Sequence, residues 1–380
     1  MHVFQHQIIN NEWIEIDQPT QSELDNSTLV LAFGSYDMVR RPETRTSIKS
    51  RYKNADIVLA STAGEILGNG VFDDSVVINA ISFDKTKTKC ICTNIKEHKN
   101  SFDSGAFIME SLNADNLQAI IIISDGTFIN GSELVSGINS KNTKQIPVTG
   151  GLAGDGARFQ HTATGLNEIP GEGNLIGIGF YGQHLQIGHG SFGGWDEFGP
   201  QKLITRSQQN VLFEIDGKSA LDLYKEYLGD YANELPSSAL LFPISINLPG
   251  SENNIVRTIL AIDNENKSMT FAGNMPEGSK VILMKANFDK LIDASAMAAQ
   301  QTYTPLNMSK PSLALLISCV GRKLVLQERT EEEVDAAQSI FGSQTKITGF
   351  YSYGEISPFN SNTSCELHNQ TMTITTFAEI

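Results

Sequence analysis

No stretch of this chain is apolar for long enough to cross a bilayer as a helix. Its longest runs of that kind, such as LQAIIIIS at Leu117–Ser124, fall far short of the ~20 residues required. The N-terminal segment MHVFQHQIINNEWIEID has no basic stretch followed by an apolar core, so no secretory leader is read there. Basic residues are also in deficit: 28 Lys and Arg face 43 Asp and Glu, for a net charge of −15. A surface that tracks phosphates needs clustered cations to displace counterions. Neither nucleic acid nor a membrane is expected as a partner, and a cytoplasmic location is.

Cysteine is scarce too. Of the four present, Cys90 and Cys92 lie two apart on a predicted strand and so face opposite ways. Without a leader, reduced thiols are expected. There is no CxxC, CxxCH or HExxH, which leaves structural zinc, covalent haem attachment and zincin chemistry unsupported. The DGKS at Asp216–Ser219 lacks the glycine a phosphate-binding loop needs five residues before Gly217, where Leu212 stands. The close-set glycines of GGLAGDG are followed by a polar, turn-rich stretch instead of the helix a dinucleotide fingerprint opens. His161, His184, His189 and His368 show no ligand spacing. Cys319 sits beside Gly321 and Arg322, a cation that could activate a thiolate, but no histidine base can be placed next to it.

What is present is a repeat. Over 380 residues, a length that suggests two or three domains, the order strand, helix, strand, Gly-acid, strand occurs three times. The first copy reads STLVLAFGS, PETRTSIKSRYKNA, DIVLAST and SVVINAISFD; the second LQAIIIISDG, NGSELVSGINS, IPVTGGLAGDG and NLIGIGFYG; the third SLALLISCVGR, TEEEVDAAQSIFG, KITGFYSYGEI and QTMTITTFA. The interval from the glycine closing the first strand to the glycine before the acid is nearly constant, from Gly34 to Gly64, Gly126 to Gly154 and Gly321 to Gly354. Asn130 with Glu133 and Thr330 with Glu333 have capping-box spacing, and Gly342 stands where a helix end favours a residue without Cβ. Helices are also read at about Ser219–Leu228 and over NFDKLIDASAMAAQQTY, with strands at SSALLFPISI, IVRTILAID, SMTFAG and KVILMKA. The fold expected is α/β, with repeated strand-helix-strand-strand units forming mixed sheets in two domains. Residues 27–215 would hold two units, and residues 216–380 a strand-rich insert plus the third.

A helical crossover makes the paired strands parallel and right-handed, and ligands collect beyond the carboxyl ends of such strands. Glu65, Asp155 and Glu355 lie at those ends. Each either accepts backbone amides in a tight turn or lines a pocket. Arg257 and Arg322 offer planar guanidinium groups to a carboxylate, either a ligand's or the protein's own. The candidate ligand-binding set is Ser61, Thr62, Gly64, Glu65, Gly154, Asp155, Arg257, Arg322, Tyr353 and Glu355.

The segments STAGEI, GGLAGDG, EIDGKSALDLYKEYLG, FPISI with IVRTILAID, FAGNMPEGSKVILM, SCVGRK, GFYSYGEISP and ELHNQTMTITTF, in that order, resemble the FIST family (F-box and intracellular signal transduction) over about residues 27–378. The family usually has Gly-Cys before Ser-Thr-Ala-Gly-Glu; this chain has Leu59-Ala60. The resemblance implies a non-catalytic sensory module that binds a small ligand. Its partner would be a separately encoded histidine kinase or cyclic-dinucleotide enzyme. One ligand reading it implies is haem, sensing nitric oxide in a two-component system. Another is an amino acid or metabolite, its ammonium meeting Asp155 or a Gly-Glu acid and its carboxylate meeting Arg257 or Arg322. An α/β enzyme using the strand-end acids or Cys319 is the reading from another class, and it lacks a nucleophile, base and orienting group as a set.

Overall fold

A computed structural model of the chain describes residues 1–248, 253–304, 310–359 and 364–380. The sequence repeat is a structural repeat that closes on itself. In each unit two parallel strands flank a helix: Leu29–Gly34 and Asp56–Ser61 around Pro42–Arg51, Leu117–Ser124 and Val148–Leu152 around Gly131–Lys141, and Leu313–Cys319 and Lys346–Ser352 around Thr330–Phe341. The first strand of each pair is buried on both faces, which is why it reads as an almost unbroken apolar run. An antiparallel strand joins it on the other side: Ser75–Ser82, Asn174–Tyr181 or Met372–Glu379. Outside that lies a further antiparallel strand, His2–Ile9, Lys87–Asn94 or Leu185–Phe192. The fold is mixed α/β, as the sequence predicts.

The segment after each Gly-acid pair leaves its own sheet. Glu65–Leu67 pairs with Lys346–Ser352 of the third unit, Thr164–Leu166 with Asp56–Ser61 of the first, and Gly354–Pro358 with Val148–Leu152 of the second. Each unit thus lends a strand to a neighbour around a ring. The three sheets share a core in which Leu31 and Phe33 of the first unit meet Ile121 and Phe180 of the second and Leu315 and Phe350 of the third. Full burial of such a side chain contributes about 1.5–3 kcal/mol.

The fourth sheet runs, in spatial order, through Asn254–Arg257, Ile244–Asn247, Lys280–Lys285, Asp196–Gln208, Val211–Ile215, Ser268–Phe271 and Ile259–Asp263. Its two edge strands are consecutive in the chain, separated only by Thr258, so the sheet curls back on itself as an open barrel. The helix Ala220–Leu228 shares its core through Leu221, Tyr224 and Leu228. The barrel is inserted into the third unit, between that unit's edge strand Leu185–Phe192 and the helix Phe288–Gln301. The boundary read near residue 215 falls inside it.

The helix signals divide. The Asn130 side chain accepts from the Glu133 amide at 3.1 Å, and Gly342 ends its helix at φ +77°. Thr330 and Glu333 do not form the capping box their spacing suggests. Thr330 is already helical, its hydroxyl donates back to the Gln327 carbonyl, and Glu333 is fully buried. An i, i+3 pair also lies on one helix face, and here that face points inward.

Candidate functional site

The three Gly-acid turns converge where the strands cross between sheets, and their backbones bond one another in a closed ring. The Gly154 amide donates to the Ser61 carbonyl (3.0 Å), the Ala63 amide to the Tyr351 carbonyl and the Tyr351 amide to the Gly64 carbonyl (2.8 Å each), and the Tyr353 amide to the Leu152 carbonyl (3.2 Å). Ser61, Thr62, Gly64, Glu65, Gly154, Asp155, Tyr353 and Glu355 are therefore brought together, which the repeat allows but does not demand. Their carboxylates, however, turn into the protein. Glu65 is buried and accepts from the hydroxyls of Thr62 (2.6 Å) and Ser75 (2.8 Å). Glu355 accepts from Ser352 (2.7 Å) and Thr371 (3.0 Å). Burial pushes each of these carboxyls up to about 8, because a desolvated carboxylate is disfavoured against its neutral acid. Asp155 accepts from the amides of Phe159 (2.9 Å), Gln160 (3.2 Å) and His161 (3.0 Å) and from the Tyr353 hydroxyl. It gathers the loop that follows it into a tight coil.

The two arginines take no part in this backbone ring and contrast with each other. Arg322 is fully buried and forms a two-point pair with Glu333 (2.8 and 2.9 Å), its remaining donors going to the carbonyls of Gly193 (2.5 Å) and Leu291 (2.6 Å). Glu333 also accepts from Tyr351 (2.7 Å) and Ser318 (3.0 Å). The carboxylate that Arg322 meets is thus the protein's own. Arg257 is buried between the barrel and the second sheet, where it donates to the carbonyls of Leu367 (2.8 Å), Asn274 (3.4 Å) and Val256 (3.4 Å). Burial lowers it to about 10. Cys319 is buried and burial pushes its thiol up, opposite to what a nucleophile needs.

A cleft of about 380 Å³ opens between the barrel and the second sheet. One wall is the loop that leaves the parallel strand Leu117–Ser124 and enters the helix at Gly131. It presents Thr127, Phe128 and Asn130. Asp125 shapes this loop, accepting from the amides of Thr127 (2.8 Å) and Phe128 (2.6 Å) and from the Thr162 hydroxyl (2.8 Å). The opposite wall is barrel: Asn210, Leu260 and the run Phe271–Gly273. The end is closed by Leu152, Tyr353 and Phe159. Phe159 stacks on Tyr353 with ring centroids 4.6 Å apart and planes 18° apart, yet remains 41% exposed. The cleft stands beyond the carboxyl ends of the parallel pair of the second unit, where such sheets take ligands.

Of the ten residues picked from sequence, Tyr353 alone is among those lining this cleft. Asp155 supports it from behind through Phe159 and Tyr353, and Arg257 lies beneath Gly273, its Nε 2.6 Å from where a Cβ there would sit. The cleft also takes Phe159 and Asn210, which no sequence pattern marks, and Asn130, which the sequence marks only as a helix cap. The signal available was the DG turn closing a parallel strand; nothing in the sequence joins it to Asn210 or Gly273. Among the described residues no cluster of His, Cys, Asp and Glu is arranged to hold a metal ion, and no helix is long and apolar enough to cross a membrane.

No curated protein matches this chain. Among solved structures, the crystal structure of cyanuric acid hydrolase from A. caulinodans aligns over 99% of this chain and 99% of its own, at 6% identity and a TM-score of 0.38, a likeness from which no chemistry is taken. The FIST N domain matches residues 28–218 and the FIST C domain residues 220–358. The chain therefore belongs to the FIST family, whose domains serve as sensory modules in signal transduction, and carries both its N and C domains.

Proposed function

We propose that this chain senses a small molecule held in the cleft between the barrel and the second sheet, and relays its occupancy to a signalling partner such as a histidine kinase or a cyclic-dinucleotide enzyme. The observation that carries this reading is the position of Phe159. A large apolar ring is left 41% exposed, braced from behind by Tyr353 and Asp155, at the end of a concave site where two structural bodies meet. Pockets with an aromatic floor and a few fixed polar groups are the usual form of a small-molecule site. A ligand bridging both walls gives the barrel and the ring a reason to change their relative setting, since occupancy shifts an equilibrium only through contacts that differ between its states.

Haem does not fit this cleft. Axial ligation needs His, Met, Cys or Tyr. The described residues lining the cleft include no His, Met or Cys, and the Tyr353 hydroxyl is held by Asp155. The buried His368 donates from Nε2 to the Ser357 carbonyl (2.9 Å), and burial pulls it down to about 4. A nitric-oxide response through iron in this cleft is therefore not part of the proposal. A free amino acid fits poorly as well, because neither Asp155 nor Arg257 presents its charge to the cleft.

The reading is tested with the full chain in a thermal-shift screen against a metabolite library, with hits followed by calorimetry. A ligand present at 100 times its Kd stabilises the folded chain by about 2.7 kcal/mol. Hits are expected to lose their shift in Phe159→Ala, whose side chain is too exposed for its loss to unfold the protein. Hits that shift wild type and variant equally would refute the site.

A further inference from the structure

We infer that the ligand of this cleft is an uncharged molecule with a flat ring and amide-like hydrogen-bonding groups on its edge, an inference that rests on the cleft being the binding site. In a chain where 19% of residues are charged, none of the described side chains lining the cleft is charged. The charged groups just behind its walls are already engaged. Asp125 is buried and accepts three hydrogen bonds from its own loop and Thr162. Asp155 is buried and accepts from three amides and the Tyr353 hydroxyl, with Arg158 beside it at 3.5 Å. Arg257 is buried beneath Gly273 and donates to three carbonyls. A charged ligand would give up its hydration here without meeting an opposite charge, a loss the site does not offset.

The start of the helix at Gly131 would by itself favour an anion. Its first-turn amide at Glu133 is already capped by Asn130, and the Asp125 carboxylate lies behind the same loop, opposing that field. What the cleft does present is suited to a neutral ring. Phe159 offers the face of an aromatic ring whose other face is covered by Tyr353, and flat π-systems stack on such a surface in offset geometry. Around it stand the amide side chains of Asn130 and Asn210 and the hydroxyl of Thr127. Each is partly engaged: Asn130 accepts from the Glu133 amide and donates to Asn274 (3.2 Å), Asn210 donates to the Phe271 carbonyl (2.8 Å), and Thr127 shares a bond with Thr162 (2.9 Å). Each amide nitrogen keeps a second N–H, and the Asn210 Oδ1 has no partner among the described residues, so together they suit a ligand edge that carries a carbonyl and an N–H.

The test is binding of four matched probes to the full chain by calorimetry and thermal shift: nicotinamide (flat, neutral), nicotinate (flat, anionic), aminomethylpyridine (flat, cationic) and cyclohexanecarboxamide (neutral, not flat). Nicotinamide is expected to bind at least about tenfold more tightly than each of the others, a difference of about 1.4 kcal/mol, and to lose binding in Phe159→Ala. If nicotinate or aminomethylpyridine binds as well as nicotinamide and Phe159→Ala abolishes it, the inference about charge is overturned while the cleft stands. If cyclohexanecarboxamide matches nicotinamide, the inference about a flat ring is overturned. Probe binding that survives Phe159→Ala would show that the cleft is not the site. Absence of binding by all four at millimolar concentration would overturn the ligand class and leave the site to the wider screen.

Discussion

Replacing Glu355 by glutamine should make the protein's stability less sensitive to alkali. In the wild type this carboxyl is fully buried, held by Ser352 and Thr371, and burial lifts it from its ordinary 4.5 to about 8. Because the folded value lies above the ordinary one, the folded chain keeps a proton that the unfolded chain has released throughout that window. The group's contribution is full at acid pH and is lost as pH rises through about 8. Each pH unit within the window is worth about 1.4 kcal/mol, so between about pH 5 and pH 8 the wild type loses about 3–4 kcal/mol through this side chain. Glutamine has nearly the same shape, hydrogen-bonds the same hydroxyls and does not titrate. Urea unfolding of both proteins at several pH values measures the effect. The wild type should be the more stable or equal at acid pH, and the gap should swing toward the variant by about 3 kcal/mol at pH 8. A difference that stays flat with pH would show that Glu355 is ionised in the fold and refute the reasoning.

Glu333→Gln should destabilise the chain by about 3–5 kcal/mol, seen as a lowered urea midpoint, because it strands the buried Arg322 without its counter-charge. Gly349→Ala should be at least as damaging. Its φ of +157° suits glycine, and an added Cβ would run into the Leu316 carbonyl of the neighbouring strand, so insoluble or weakly folded protein is expected, with normal solubility as the refuting result.

The repeat was legible because its parallel strands are buried on both faces, so that runs such as LVLAFG and LALLISC carry no competing alternation. The helix caps at Asn130 and Gly342 were legible for a similar reason, being local. The strand exchange was not. Glu65–Leu67 is three residues long, too short to show any period, and its partner strand lies at the far end of the chain. The first sheet's strand His2–Ile9, which lies between Ser75–Ser82 and Glu12–Glu15, was hidden by its own polar core residues Gln5, His6 and Gln7, all buried. Gln5, for example, bonds Asn79 and the Ile347 carbonyl. The strand-end position of the three acids was legible from the repeat, but which way a carboxylate turns depends on hydroxyls such as Ser75 and Thr371 that no local pattern connects to it. The cleft was the least legible, since its two walls come from segments that only the inserted barrel brings face to face.

The lending of strands around the ring also constrains how the chain is made. A unit emerging from the ribosome cannot finish its own sheet. The hydroxyl of Thr348 reaches the Ile66 carbonyl across 282 residues, and Gln5 reaches Ile347 across 342. Contacts this distant in sequence slow folding, because loop-closure entropy is lost before they form. Until the last unit arrives, the first holds an unpaired strand and an unfinished sheet edge, the kind of surface on which chains aggregate. Truncation late in the chain should therefore injure its beginning, and a chaperone would find its client among nearly complete chains more than among short ones.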